Sequence, residues 1–142
     1  KYLNVVVMAL ELPDGTIVTG RSSRRMVAAG ACILNAVKKL EGLPDEMYVI
    51  SPDVFSNIQK LKVDVLHHDR ASLNVDDILT ALSISADMND YANRTVRQLY
   101  KLNGCKAHCT AILSDNDEQS LRSMGIDVTC DPEYVTTNLY FG

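Results

Sequence analysis

The segment that most constrains the fold of this chain is a helical pattern at residues 24–40 whose first half has no polar face. Over residues 26–34 the side chains are apolar or small on nearly every side of the helix. A helix that is apolar all round is stable only when a sheet and other helices enclose it. Gly42 is a typical C-terminal stop. We therefore expect a central buried helix, with Ser22 or Ser23 capping its start.

Around this helix, the hydrophobic pattern predicts alternating strands and helices. Residues 4–12 and 16–20 are short and β-branched, and the turn Pro13-Asp14-Gly15 between them favours a hairpin. The other predicted elements are strands at 46–50, 107–113 and 126–130, one more candidate strand at 63–66, and helices at 53–60, after the cap residue Asn74, at 90–102 and at 115–125. Such an order favours a largely parallel sheet with helices on both faces. We predict one α/β domain, a three-layer α/β/α sandwich with a mixed, mostly parallel sheet of about five strands.

Composition excludes several classes of protein. Of the 142 residues, 46% are apolar and 23% are charged, which excludes a disordered or fibrous chain. The net charge of -4 argues against a nucleic-acid partner, and no apolar run approaches the roughly 18 residues that a membrane-spanning helix needs. Because the four cysteines occur without a secretory signal pattern, we expect a reducing, cytoplasmic setting, with Cys32 as a small buried residue.

Several clusters of reactive side chains are better explained by structure than by catalysis. Cys105-x-x-His108-Cys109 has the residue types of a zinc site, but strand alternation directs His108 and Cys109 to opposite faces. Histidine is a common general base near neutral pH, yet the sequence identifies no partner for His67 or His68. We assign no catalytic residue, metal or cofactor. The acidic clusters stand at predicted helix starts, where carboxylates favour the helix dipole; they are Asp76, Asp77, Asp115, Asp117 and Glu118.

The best candidate for a binding site is the segment that precedes the central helix. Hydroxyl groups, backbone N–H groups and the helix dipole favour an anion there, and an arginine binds carboxylate or phosphate through two hydrogen bonds. Ligands of α/β sheets bind where parallel strands end, and three such ends are expected at one edge. The candidate ligand-binding residues are Arg21, Ser22, Ser23, Ser51, Ser114, Asp115 and Asn116. Because its charge opposes an anion, Asp115 is expected to cap its own helix or to orient Arg21. The competing explanation is that the serines only cap helices and the arginines are solvated.

Several stretches resemble the C-terminal domain of a bacterial family called domain of unknown function 1846. The most specific is Gly-Ile-Asp-Val-Thr-Cys-Asp-Pro-Glu-Tyr at residues 125–134; the others are residues 8–23, 33–38, 81–84, 104–108 and 115–119. The resemblance implies a longer cytoplasmic protein whose N-terminal part is missing here. Some members are labelled ATP-dependent zinc proteases, but this chain has neither a His-Glu-x-x-His motif nor a Gly-x-x-x-x-Gly-Lys-Ser/Thr loop. Residues 138–142 look either like the native ending of that family or like the remnant of a cleavage tag.

The predicted element order also resembles the cytidine-deaminase-like fold. There, the buried helix opens with a zinc-binding His or Cys followed by Ala-Glu, and the next helix opens with Pro-Cys-x-x-Cys. This chain has Val27-Ala28-Ala29-Gly30-Ala31 and Ser51-Pro52-Asp53-Val54-Phe55 at those places. The zinc ligands and the proton-shuttling Glu are absent, which disfavours deaminase chemistry.

These features favour a non-catalytic ligand-binding or assembly domain of a larger bacterial cytoplasmic protein. Its expected partners are the missing N-terminal part of the same protein and a small anionic ligand. The alternative is an enzyme domain whose active site is completed by that N-terminal part or by a second subunit. Because surfaces that face such partners expose apolar patches, we also expect a homo-oligomer.

Overall fold

The computed structural model describes residues 5–132, whose strands form one mixed four-stranded sheet. The strands are β1 (Val7–Glu11), β2 (Ile17–Arg21), β3 (Lys106–Cys109) and β4 (Asp127–Cys130), in the order β2-β1-β3-β4. β1 runs antiparallel to both β2 and β3, and β3 runs parallel to β4. The α/β class and the mixed sheet are confirmed. The described sheet has four strands rather than five, and two of its three pairings are antiparallel rather than mostly parallel.

Helices make up most of the remaining described structure. They are α1 (Ala28–Glu41), α2 (Pro52–Lys60), α3 (Val75–Ser85), α4 (Asp90–Val96) and α5 (Asp115–Ser123). A π-helical turn over Leu61–Val65 continues α2, so the candidate strand at 63–66 is wrong. Lys62 in this turn is buried, and its ammonium group lies 2.6 Å from the Asp77 carboxylate of α3. None of the helices in residues 5–132 is long and apolar enough to cross a membrane.

The predicted strand at residues 46–50 is not part of the described sheet. Val49 and Ile50 are buried, as the apolar pattern requires. They lie in an irregular segment that leads to α2, and the Ser51 N–H donates to the Ser85 hydroxyl at the end of α3. Packing against helices therefore satisfies the same apolar pattern that a strand would. The cytidine-deaminase-like order needs a strand at this place, and that resemblance stays unconfirmed.

The central helix α1 packs directly against β2, and a glycine makes this contact possible. A Cβ atom on Gly20 would lie 2.1 Å from the backbone nitrogen of Cys32, so only glycine permits this approach. Cys32 is fully buried, as predicted. The helix begins at Ala28 rather than near residue 24, and its N-cap Val27 offers no side-chain cap. The prediction that a serine caps α1 is wrong. The Ser23 hydroxyl instead accepts hydrogen bonds from the backbone N–H groups of Arg25 and Met26, which precede the helix.

One side of the sheet is covered by helices and the other is open. The side chains that alternate toward α1 are buried, including Met8, Leu10, Ala107 and Val128. The opposite side chains are exposed or half-buried, and we call this surface the open face. Its residues are Val7, Ala9, Glu11, Ile17, Thr19, Arg21, Lys106, His108, Asp127 and Thr129. The third layer of the predicted sandwich is therefore not found within residues 5–132.

Both outer strands of the sheet are covered at their free edges by side chains from helices. Asn35 of α1 donates from Nδ2 to the Thr19 carbonyl of β2 at 2.9 Å. Arg122 of α5 donates to the Val128 carbonyl of β4 at 3.1 Å. Exposed strand edges are templates for pairing with other chains, and side chains that occupy their carbonyls block that pairing. The open face is thus more accessible to a partner than the free edge of either outer strand.

Candidate functional site

Three strands end at the same edge of the sheet. β2 and β3 both run opposite to β1, and β4 follows β3, so β2, β3 and β4 share one direction. Hydrogen bonds fasten this edge: the Val6 N–H donates to the Ser22 hydroxyl at 2.9 Å, and the Val7 N–H to the Thr110 hydroxyl at 3.0 Å. At this edge Arg21 is the last residue of β2, and Asp131 directly follows the last residue of β4. This edge lies where α/β folds bind ligands.

Arg21 lies beside a shallow depression at the end of β2. The depression has a volume of about 500 Å³. It is lined by Val5, Val7, Thr19, Gly20, Arg21 and Asn35. The Arg21 side chain is exposed and belongs to the open face, whereas Ser22 is half-buried and Ser23 lies in the turn that leads to α1. The two serine oxygens already accept backbone hydrogen bonds, and neither hydroxyl donates one to another group within residues 5–132.

The start of α1 is closed to a solute. Ala28, Ala29 and Gly30 are buried, and the N–H of Val27 donates to the carbonyl of Leu73. The segment around Leu73 therefore covers the N–H groups that the sequence suggested as an anion seat. Because these N–H groups are covered, an anion at this edge must be held by side chains. Among the residues predicted for the site, Arg21 is the one with a positive charge.

The residues at the start of α5 are engaged in capping. The Ser114 hydroxyl accepts from the Asp117 N–H at 3.1 Å, so Ser114 rather than Asp115 caps the helix. Asn116 donates to the Asp76 carboxylate at 3.4 Å. Asp115 lines a second shallow depression, of about 420 Å³, on the outside of α5. In residues 5–132, no hydrogen bond or ion pair links these three residues to Arg21.

Ser51 lies at the opposite end of the helix layer from Ser114. Its backbone contacts Ser85, the last residue of α3, whereas Ser114 leads into Asp117, whose carboxylate accepts from Val75 at the first residue of α3. Eleven residues of helix separate these ends by about 15 Å. The expectation that Ser51 joins the other residues is wrong, because residues 46–50 do not form the strand that would bring it there.

The acidic clusters lie in the first turns of α3 and α5, as the sequence indicated, and two of their residues also serve as caps. Asn74 and Asp77 form a reciprocal capping box at the start of α3. Asp117 is buried, and its carboxylate accepts from the Val75 N–H at 3.0 Å, so α5 provides a second cap for α3. Burial raises the pKa of Asp117, and the Val75 hydrogen bond opposes that shift. Asp117 joins α5 to α3, and Asp77 joins α3 to the π-helical turn through Lys62. These carboxylates therefore connect elements of the fold and do not form a reactive centre.

A histidine network on the open face is the feature that sequence reasoning missed. His108 Nδ1 lies 2.7 Å from the Thr129 hydroxyl, and Nε2 lies 2.8 Å from the Asp131 carboxylate. His108 is exposed while Cys109 is buried, which confirms the predicted alternation. Among the described residues, no three His, Cys, Asp or Glu side chains are grouped for a metal ion. The network depends on the register between β3 and β4, which links residues 21 positions apart.

Comparison with known proteins identifies a family and close relatives in two bacterial species. Residues 1–140 match the family model described as "Domain of unknown function DUF1846, C-terminal", a match that includes most of the tail at 138–142. The chain is 50% identical over 135 residues to a UPF0371 protein of Clostridium botulinum (strain ATCC 19397 / Type A). It is 48% identical over 135 residues to one of Clostridioides difficile (strain 630). Each match covers 95% of this chain but 27% of the relative.

Proposed function

The chain belongs to the family of DUF1846 C-terminal domains, and we propose that it is a ligand-binding and assembly domain of a longer bacterial cytoplasmic protein. The observation that carries the proposal is the open face of the sheet. The open face serves assembly. The place where β2 ends at Arg21, which we call the Arg21 edge, binds a small anion.

The composition of the open face supports a docking role. Antiparallel sheets often leave one face to water, and such faces are polar. Here Ile17 is 58% exposed, and Val5, just before β1, is 49% exposed. Next to Ile17, a row of alternating charge crosses the sheet through Glu11, Lys106 and Asp127. Apolar side chains beside ordered charges are typical of a surface that meets a specific partner.

The occupant that we propose is the preceding part of the same polypeptide. The chain spans 27% of the length of the relatives it matches, so those proteins carry a large additional region. Contacts between domains of one chain resemble transient interfaces, with mixed polar and apolar character, and the open face has that character. A longer protein held together in this way also allows a homo-oligomer.

Side-chain oxidation by hydroxyl radicals tests this assignment. We expect Ile17 and His108 to be labelled in the isolated 142-residue chain and protected in the longer protein. Ile84, which is 48% exposed on the helical side, is the matched control and should be labelled equally in both. Equal labelling of Ile17 in both proteins would contradict docking on the open face.

A small anion is the ligand that the Arg21 edge fits best. The Arg21 guanidinium is exposed at the end of β2 and lines the depression there. A guanidinium is suited to a carboxylate or a phosphate group. Ser22 and Ser23 follow Arg21 in the sequence but do not line the depression. No partner acid for Arg21 is found among residues 5–132, which leaves its charge free for a ligand.

The alternative, an enzyme domain completed by another part of the protein, is favoured by the histidine network. His108 has a hydroxyl at one ring nitrogen and a carboxylate at the other, an arrangement that suits general acid–base chemistry. Activity that requires the longer protein and is abolished by His108→Gln would support this alternative. A metabolite screen on the longer protein that finds binding without turnover would support the first function.

A further inference from the structure

Three of the four cysteines form a row from the surface to the core. Cys109 and Cys130 are register partners in the parallel strands β3 and β4. Cys130 is partly exposed, and Cys109 is fully buried beneath α1. Cys32 of α1 is also fully buried; burial, with a further contribution from the nearby Cys109, raises its pKa to about 12. All four thiols are free in the structure.

Strand geometry places the Cys109 and Cys130 side chains next to each other. Partners in adjacent strands point to the same face, and neighbouring strands lie about 4.8 Å apart. That separation falls within the range of about 4.4–6.8 Å between the Cα atoms of disulfide-bonded cysteines. The Cβ atoms must approach to roughly 4 Å, somewhat closer than the strand spacing. Within residues 5–132, β4 is an outer strand that pairs with β3 alone, so fewer strand contacts oppose a small approach of β4 to β3.

We propose that Cys109 and Cys130 are an oxidation site at which a hydroperoxide forms a reversible disulfide. The partly exposed Cys130 is the first thiol to react, because Cys109 is shielded by the core. This modification is independent of the assembly role and concerns the helix-covered side of the sheet rather than the open face.

The reaction balances in two steps. The Cys130 thiolate attacks the peroxide O–O bond and becomes a sulfenic acid, while the second oxygen leaves as water from hydrogen peroxide or as an alcohol from an organic peroxide. The Cys109 sulfur then attacks the Cys130 sulfur, and the S–O bond breaks to release water. Two thiols are oxidised and one peroxide is reduced. A dithiol reductant restores both thiols through exchange.

The geometry of the site favours a reversible bond. Bringing the Cβ atoms closer than the strand spacing strains the cross-link, and strained disulfides have higher reduction potentials than structural ones. Burial raises the pKa of Cys109, which lowers the fraction of thiolate available for the second step. The bond would close a loop from β3 through α5 to β4 and fix the outer strand to its neighbour.

The test treats the 142-residue chain with hydrogen peroxide and measures its intact mass and peptide map. We expect the loss of two hydrogen atoms, a peptide pair linked through Cys109 and Cys130, and recovery of the original mass with dithiothreitol. Cys130→Ser and Cys109→Ala should each abolish the link. Cys105→Ser is the matched control, since Cys105 is also buried but precedes β3, and it should form the link normally.

Three outcomes would overturn the proposal. These are over-oxidation of Cys130 without a link, a link between Cys109 and Cys32 instead, or a link between two copies of the chain. Circular dichroism of each variant separates loss of the link from loss of the fold. The Cys130→Ser protein alone suffices for the decision if Cys109→Ala fails to fold, because Cys130 is the partly exposed partner.

Discussion

Arg21 is the residue on which the proposed anion site depends. Its guanidinium is the cation at the end of β2, whereas the N–H groups at the start of α1 are covered. We expect Arg21→Ala to weaken binding of phosphate or a phosphorylated metabolite by about tenfold or more, the size of one charged hydrogen bond. His108→Ala, on the same face but two strands away, should leave binding unchanged. Isothermal titration measures both, and equal losses in the two variants would contradict the site.

Gly20 is the residue that holds the helix layer against the sheet. A Cβ there would lie 2.1 Å from the backbone of Cys32, so Gly20→Ala must displace α1. We expect the free energy of unfolding to fall by about 3 kcal/mol, at the upper end of the range for overpacked cores. Urea denaturation measures this change.

Gly30 provides the control for that prediction. A Cβ on Gly30 would lie 3.0 Å from Cγ1 of Ile78 and 3.4 Å from the Leu73 carbonyl oxygen, contacts that a movement of a few tenths of an ångström relieves. Alanine is also favoured over glycine inside a helix by about 1 kcal/mol. Gly30→Ala should therefore change stability little, and a loss as large as that of Gly20→Ala would show that backbone contact is not the cause.

At the scale of elements, Asp117 links α5 to α3 and makes that link depend on pH. An acid whose pKa is raised by folding holds its proton more tightly in the folded state, so the folded state gains stability at low pH and loses it as pH rises. For Asp117 that loss begins near the ordinary value of 3.8 and continues upward, since burial raises the pKa.

Asp117→Asn isolates this effect. Asparagine keeps an oxygen to accept from the Val75 N–H but carries no charge. We expect the stability of Asp117→Asn relative to the natural protein to increase as pH rises from about 3.8, with Asp117→Ala destabilised at every pH. Urea denaturation over a pH series checks this, and a constant difference between the natural protein and Asp117→Asn would contradict it.

The elements that the sequence predicted correctly are those specified by local chemistry. The hairpin turn at Gly15, the Asn74 cap of α3 and the Gly42 end of α1 all depend on residues within a few positions. The elements it missed depend on tertiary contacts. Val49 and Ile50 have the apolar pattern of a strand, but they are buried in the core without pairing with another strand of the described sheet.

The candidate site shows the same division. Arg21, Ser22 and Ser23 lie at the edge expected from strand direction, because the hairpin is a local structure. Ser51 lies elsewhere, since its placement required the absent strand. The His108 network requires the register of β3 with β4, which is set by packing across the α5 segment and has no local sequence signal.

At the scale of the whole molecule, the free edges of the two outer strands are protected, and one face of the sheet is exposed. Asn35 and Arg122 each occupy a carbonyl of an outer strand, so strand addition is blocked at those positions. The open face has no such protection within residues 5–132 and carries the half-exposed Ile17. Association of the isolated chain should therefore proceed through the open face rather than by extension of the sheet.

Light scattering of the isolated chain tests this. We expect a concentration-dependent dimer, which Ile17→Lys weakens by about tenfold or more because a charge replaces apolar contact area on the open face. Ile84→Lys places the same charge at a comparably exposed isoleucine on the helical side and should leave the dimer intact. A clean monomer of the natural chain at high concentration would contradict self-association. A dimer that Ile84→Lys weakens and Ile17→Lys does not would place the contact on the helices, leaving the open face to the preceding part of the polypeptide alone.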